Sequence, residues 1–293
     1  YDPTLYHTNA TAFGTSVYLV EQHITLEYLQ FVNSYSGTQT AIGSGFPIAD
    51  TEIIGNIFIN ADSVTGATDT ALTCFSSNFQ ILVSFNIFIN KKFALDDNSG
   101  SGAVASIYNN TFIGCEEIYG SVKGNVPLWK NNLISGTTDG ITGTVSSSSD
   151  FNSTDSATFG TGYSTNTNDR VSQTFAFVNA GADDYHLQAS DTGAKGFGVD
   201  LSGVIDPVDI DGDTIVDPWC IGADWITSGG GGGNTLAADS GSYTYTGNAA
   251  GLLTTRILQA ANGVYTYSGT SADLLRGLRV AANTGSYNYT GSS

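Results

Sequence analysis

Gly55-Asn56-Ile57-Phe58-Ile59-Asn60 returns as Phe85-Asn86-Ile87-Phe88-Ile89-Asn90, then as Asn109-Asn110-Thr111-Phe112-Ile113-Gly114. A weaker copy is Asn131-Asn132-Leu133-Ile134-Ser135-Gly136. Aligned on Asn56, Asn86, Asn110 and Asn132, the copies are 30, 24 and 22 residues apart, a period typical of stacked repeats. Two places after each Asn stands Phe58, Phe88, Phe112 or Ile134, and three places before it Ile53, Val83, Ile107 or Trp129. Four places after it stands Asn60, Asn90, Gly114 or Gly136, residues that suit turns with positive φ. Each copy reads as a strand, an Asn bend, a short strand and a turn. One copy cannot bury its apolar side alone, whereas a stack builds a continuous core. Asn side chains at equivalent bends can form amide ladders. The competing reading is a β-sandwich whose polar turns resemble one another.

Working outward, Ser16–Val20 and Ile24–Asn33 carry strand signals, and Asn33 aligns with Asn60 as part of an earlier coil. Residues 137–170 are rich in Ser, Thr, Gly, Asn and Asp, with anchors at Phe151, Phe159 and Tyr163. They read as irregular edge coils or a long surface loop. Beyond them come Phe177-Val178-Asn179, Asp184-Tyr185-His186-Leu187-Gln188, Gly198-Val199-Asp200, Asp209-Ile210-Asp211-Gly212 and Ile221-Gly222-Ala223. This succession resembles the end of right-handed parallel β-helix proteins of the pectin-lyase-like superfamily, and the resemblance covers roughly residues 15–226. It implies an all-β, right-handed parallel β-helix over residues 1–227. It implies no single activity, because such helices host lyases, hydrolases, adhesins and tail spikes.

Residues 228–234 read as a Gly-rich linker. From 235 to 293 a cleaner repeat follows, a small β-repeat region. Its pairs Tyr243 and Tyr245, Tyr265 and Tyr267, and Tyr287 and Tyr289 recur every 22 residues between matching glycines. These units resemble Gly-Ser-Tyr-Thr arrays of phage structural proteins, and the array reads as continuing past Ser293. Its Tyr rings are candidate carbohydrate contacts, although in such small units rings more often pack the strands.

Charge narrows the partners. Residues 1–228 hold 25 acidic and 6 basic side chains, a net of −19, while the remainder is +1. Such acidity opposes nucleic acid and anionic membranes. No apolar run is long enough to span a bilayer. Cys74, Cys115 and Cys220 have neither disulfide-framework nor zinc spacing and read as buried free thiols.

Candidate chemistry is sparse, and no catalytic residues are assigned. Asp96-Asp97, Glu116-Glu117 and Asp183-Asp184 could supply acid and base groups, but adjacent strand residues face opposite ways. A lyase base could come from Lys123 or Lys130 near Glu116 and Glu117. Asp209, Asp211, Asp213 and Asp217 alternate like part of a calcium loop, with a helix-closing hairpin as the competing reading. Calcium is the one cofactor suggested. Ile57, Ile59, Ile87, Ile89, Ile113 and Leu133 flank the inward Phe and should point outward. That row needs a cover: either another subunit, giving a homo-oligomer such as a trimer, or the loops at 34–50 and 61–70.

The expected function is structural and adhesive: an extracellular or virion-surface component, tail-spike-like, capsid-decorating or fibrous. Its partners would be copies of itself, other virion or fibre subunits, or surface polysaccharide. The alternative is a secreted polysaccharide lyase or glycoside hydrolase with appended repeats.

Overall fold

The computed structural model describes residues 7–9, 14–19, 24–33, 39–44, 51–60, 69–74, 80–97, 104–121 and 126–226. It also describes the backbone of six strands between 236 and 292. The chain divides into two units, Tyr1–Gly230 and Gly231–Ser293. The linker expected at 228–234 lies outside the described residues.

The first unit is a parallel β-solenoid with three sheets. One contains His7–Asn9, Gln30–Asn33, Ile57–Asn60, Ile87–Ile89, Thr111–Ile113, Leu133–Ser135 and Ser153–Thr154. The second contains Gly14–Leu19, Gln39–Ser44, Asp69–Cys74, Phe93–Asp97, Glu117–Ser121 and Gly140–Ile141. The third contains Thr25–Glu27, Thr51–Ile54, Gln80–Ser84, Val104–Tyr108 and Leu128–Lys130. Every neighbour in these sheets is parallel, and the chain visits the sheets in turn, so each circuit adds one coil. Asn33 pairs with Asn60, which places the earlier coil as its sequence alignment expects.

The repeated phrase lies where the third sheet bends into the first. The residue at the bend has positive φ at Tyr28, Gly55, Phe85, Asn109, Asn131 and Phe151. That conformation turns the chain sharply, and for Tyr or Phe it costs about 1 kcal/mol or more. The ladder offsets it. Asn110 Oδ1 accepts from the backbone N–H and the side-chain amide of Asn86, each at 3.0 Å. Asn110 Nδ2 donates to Val83, Tyr108 and Asn132. Asn56, Asn86 and Asn132 repeat the pattern, so buried amides are bonded to the coil on either side. Two further rungs, Asn152 and Asp169, extend it beyond the four sequence copies. At the last rung Asp169 accepts from Asn152 N, Asn166 N and the Tyr163 hydroxyl. Burial raises its pKa and these bonds oppose the rise. Residues 137–170 are thus coil edges closing the stack.

Inside the coils, Phe31, Phe58, Phe88 and Phe112 stack face to face at 4.8–5.0 Å. Ile53, Val83, Ile107 and Trp129 form a second buried column in register. Each buried ring stabilises the fold by about 2–3 kcal/mol through lost water contact. The turn after the short strand takes positive φ at Asn90, Gly114 and Gly136, while Asn60 stays in its strand.

The second unit is also parallel. Leu236–Ala238, Arg256–Ala260 and Leu278–Ala282 form one sheet, and Ser242–Thr246, Val264–Thr270 and Ser286–Ser292 another. Tyr243, Tyr265 and Tyr287 align in register, as do Tyr245, Tyr267 and Tyr289. The side chains of these six tyrosines, the candidate carbohydrate contacts, lie outside the described residues.

Candidate functional site: the seam around His186

The outer Ile row is largely buried within the chain. Ile59, Ile87, Ile89, Ile113 and Leu133 are buried and Ile57 is half-buried. Among the described residues, part of the row's cover comes from farther along the chain, from the segment 185–226. Ile57, Ile59, Ile87 and Ile89 pack against Tyr185, Ile210 and Ala223. Ile113 and Leu133 join a cluster with Leu187, Trp219, Ile221 and Trp225.

Polar bonds fix the return segment in place. Gly222 N donates to Asn131 O at 2.7 Å, and Ala223 N donates to Thr111 Oγ1 at 2.9 Å. Asn109 Nδ2 donates to the carbonyls of Cys220 and Gly222. Asn109 and Asn152 each begin an Asn-x-Thr sequence of the kind that accepts glycans, but at 2% and 1% exposure they are closed to modification in the folded chain.

At the edge of the seam sits His186. Its Nδ1 meets Asp184 Oδ1 at 2.5 Å, and its Nε2 meets Asp211 at 3.1–3.2 Å. With a carboxylate on each nitrogen, both nitrogens donate and the ring is an imidazolium. Burial pulls its pKa down, but the bonds to Asp184 and Asp211 and the charges of Asp211 and Asp224 outweigh that, lifting it to about 10. The same bond holds the Asp184 carboxyl below its ordinary value. Behind the ring, Asp224 accepts from Leu187 N at 2.7 Å, and burial raises its pKa to about 6. Ile57, Ile59, Ile87, Ile89, Asp183, Tyr185, Ile210, Asp211 and His186 line a small pocket here.

The four expected calcium ligands do not form a shared site. Asp209 turns inward: it is 1% exposed and accepts from the backbone N–H of Asp211, Asp213 and Trp225. Burial raises its pKa to about 7. That carboxylate organises a hairpin closed by the Val208–Thr214 bridge. Asp213 is half-buried and Asp217 exposed. Only Asp211 belongs to a group close enough to share an ion. That group is His186, Asp211 and Asp224, whose donor atoms lie within 4.8 Å of one another. Those three could hold a divalent cation, with Asp184 orienting the ring from its far nitrogen. Without a cation, the imidazolium itself offsets part of the carboxylates' charge.

The other candidates are dispersed. Glu116 pairs with Lys92 at 3.5 Å and is exposed, while Glu117 bonds to Thr142. Lys123 lies outside the described residues, as do the side chains of Asp97, Cys74 and His7 and all of His23. Cys115 and Cys220 are buried free thiols, as the spacing suggested. The interior also holds a charged pair that the sequence reading missed: Lys91 and Asp69, 1% and 2% exposed, meet at 3.1 Å. No sequence signal marks them, because loops of unequal length separate their coils.

No protein-family model matches the chain, and neither curated proteins nor solved structures give a match. The class is therefore set by topology: a parallel β-solenoid followed by a parallel tandem-repeat unit.

Proposed function

We propose that the chain is a structural and adhesive protein of an extracellular assembly, a virion-surface, tail-spike-like or fibre component. One observation carries this reading: both units are stacked parallel coils, and the buried amides of the first bond to neighbouring coils. Such a stack resists local opening and suits a load-bearing rod. The resemblance of residues 15–226 to pectin-lyase-like helices, and of the Tyr/Gly units to phage structural arrays, supports the same reading. Self-association would use a face other than the Ile row, and Tyr-bearing strands would contact surface polysaccharide.

Electron microscopy of the native source material, with antibody against this chain, tests the proposal. Ordered copies on a capsid, tail or filament support it, and a dispersed monomer overturns it. The alternative, a polysaccharide lyase or hydrolase, draws on the Glu116–Lys92 pair beside Glu117, where two successive coils meet. Release of reducing or unsaturated ends from neutral polysaccharides, with and without calcium, would favour that alternative.

A further inference from the structure

Lys91 and Asp69 form a charged pair sealed inside the solenoid. They belong to successive coils: Asp69 opens the strand Asp69–Cys74, and Lys91 lies just before Phe93–Asp97, whose Phe93 pairs with Thr70. Lys91 Nζ lies 3.1 Å from Asp69 Oδ2 and 3.2 Å from Oδ1, and it donates to the Ile59 carbonyl at 3.3 Å. Cys115, fully buried, borders the pair, and its Sγ donates to the Phe88 and Ile113 carbonyls.

Two opposite charges held away from water lose their hydration, and mutual attraction offsets that loss only in part. Passing one proton from Nζ to the carboxylate removes both charges. Burial lowers the Lys91 pKa, with the Asp69 charge opposing, and so favours the neutral amine that attack requires. The geometry sets an amine against a carboxyl group. These are the reactants of amide formation, held at contact distance, where proximity replaces a bimolecular encounter. Burial also limits the water available to reverse the reaction.

We propose that Lys91 and Asp69 condense into an intramolecular isopeptide bond that covalently ties two successive coils. Nζ attacks Asp69 Cγ to give a tetrahedral adduct. A proton moves from nitrogen to the leaving hydroxyl, the C–O bond breaks, and one water departs. Amine and acid become amide and water, with no oxidant, reductant or cofactor. The Ile59 carbonyl holds one N–H of the amine and keeps that bond in the amide. The inference does not depend on the proposed function.

The test is the intact mass of the denatured full-length chain, followed by peptide mapping. The expected result is a mass one water below that of the 30.5 kDa sequence in most molecules. A branched peptide joining Lys91 to Asp69 should account for the loss. Lys91→Arg should restore the full sequence mass, while Lys92→Arg should leave the water loss unchanged. A wild-type chain at full sequence mass overturns the proposal, as does a water loss mapped to a succinimide elsewhere. The wild-type measurement decides the matter even where Lys91→Arg fails to fold.

Discussion

Val199 and Asn131 are 68 residues apart, yet they exchange a pair of hydrogen bonds. The Asn131 side chain accepts from Val199 N at 2.9 Å and donates to Val199 O at 2.8 Å. An amide side chain thus acts as a short piece of strand for the returning chain. It can do so because Asn131, at φ 57°, presents its side chain outward from the bend. Its neighbour Asn132 points inward to the ladder. The two adjacent asparagines divide the work: one holds the coils together, the other holds the cover.

Asn131→Ala should therefore loosen the cover more than the solenoid. The substitution strands the Val199 N–H and carbonyl and should cost about 2–3 kcal/mol. Hydrogen exchange should rise in 196–223 while the ladder amides of Asn86 and Asn110 stay protected. Equal loss of protection in both regions would show that cover and solenoid open together.

Asn110→Ala should strike the solenoid itself. It removes the acceptor for two Asn86 donors and leaves the Val83 and Tyr108 carbonyls short of a partner. Several buried unsatisfied groups imply a loss of about 3–5 kcal/mol. Urea unfolding should show a lower midpoint with unchanged slope.

Phe88 sits in the middle of its stack, with rings at 4.9 Å and 4.8 Å on its two sides. Phe88→Ala should destabilise by about 3–5 kcal/mol through the cavity it leaves. Phe88→Leu should recover most of that, since it retains the burial and loses only the ring contacts. A Leu variant as unstable as the Ala variant would assign most of the energy to stacking.

The seam should weaken as pH rises. The folded-state pKa of His186 is lifted from 6.5 to about 10, so its stabilisation is full below 6.5 and disappears as pH climbs through about 10. Asp209 and Asp224 act in the same direction. Their pKa values are raised from 3.8 to about 7 and about 6, so the stability linked to their protonated forms is lost as pH rises through those values. Thermal melting should fall from acid to alkaline pH, and His186→Gln should flatten the upper part of that curve. An unchanged slope in the variant would remove His186 as the cause.

Gly222 has φ 109°, and a Cβ there would lie 2.9 Å from Thr111 Oγ1 and 3.2 Å from Leu133 Cβ. Gly222→Ala combines a disfavoured backbone with a clash against the solenoid, and should cost about 2–3 kcal/mol. Tryptophan fluorescence should report it, because Trp219 and Trp225 flank the position and are buried.

The sequence by itself determined the repeated coil. Asn56, Asn86, Asn110 and Asn132 with their Phe and Ile neighbours form a local pattern, and local patterns are legible because side chains alternate with period two. It also determined that Ile57, Ile87 and their neighbours face away from the Phe stack. The rungs at Asn152 and Asp169 were not legible, because the spacing shrinks to 20 and then 17 residues and, Val171 aside, the apolar flanks disappear. What covers the Ile row was decided only by tertiary structure. The bond from Asn109 to Cys220 spans 111 residues, and no periodicity connects the two. The Asp series at 209–217 is only partly legible for a related reason. A carboxylate next to others in sequence looks like a ligand, but Asp209 is turned inward by three backbone N–H groups that become its partners only once the hairpin has folded. The meeting of Lys91 with Asp69 likewise depends on the stacking of coils. Periodicity is written along the chain, whereas long-range pairing depends on how unequal loops place distant residues in space.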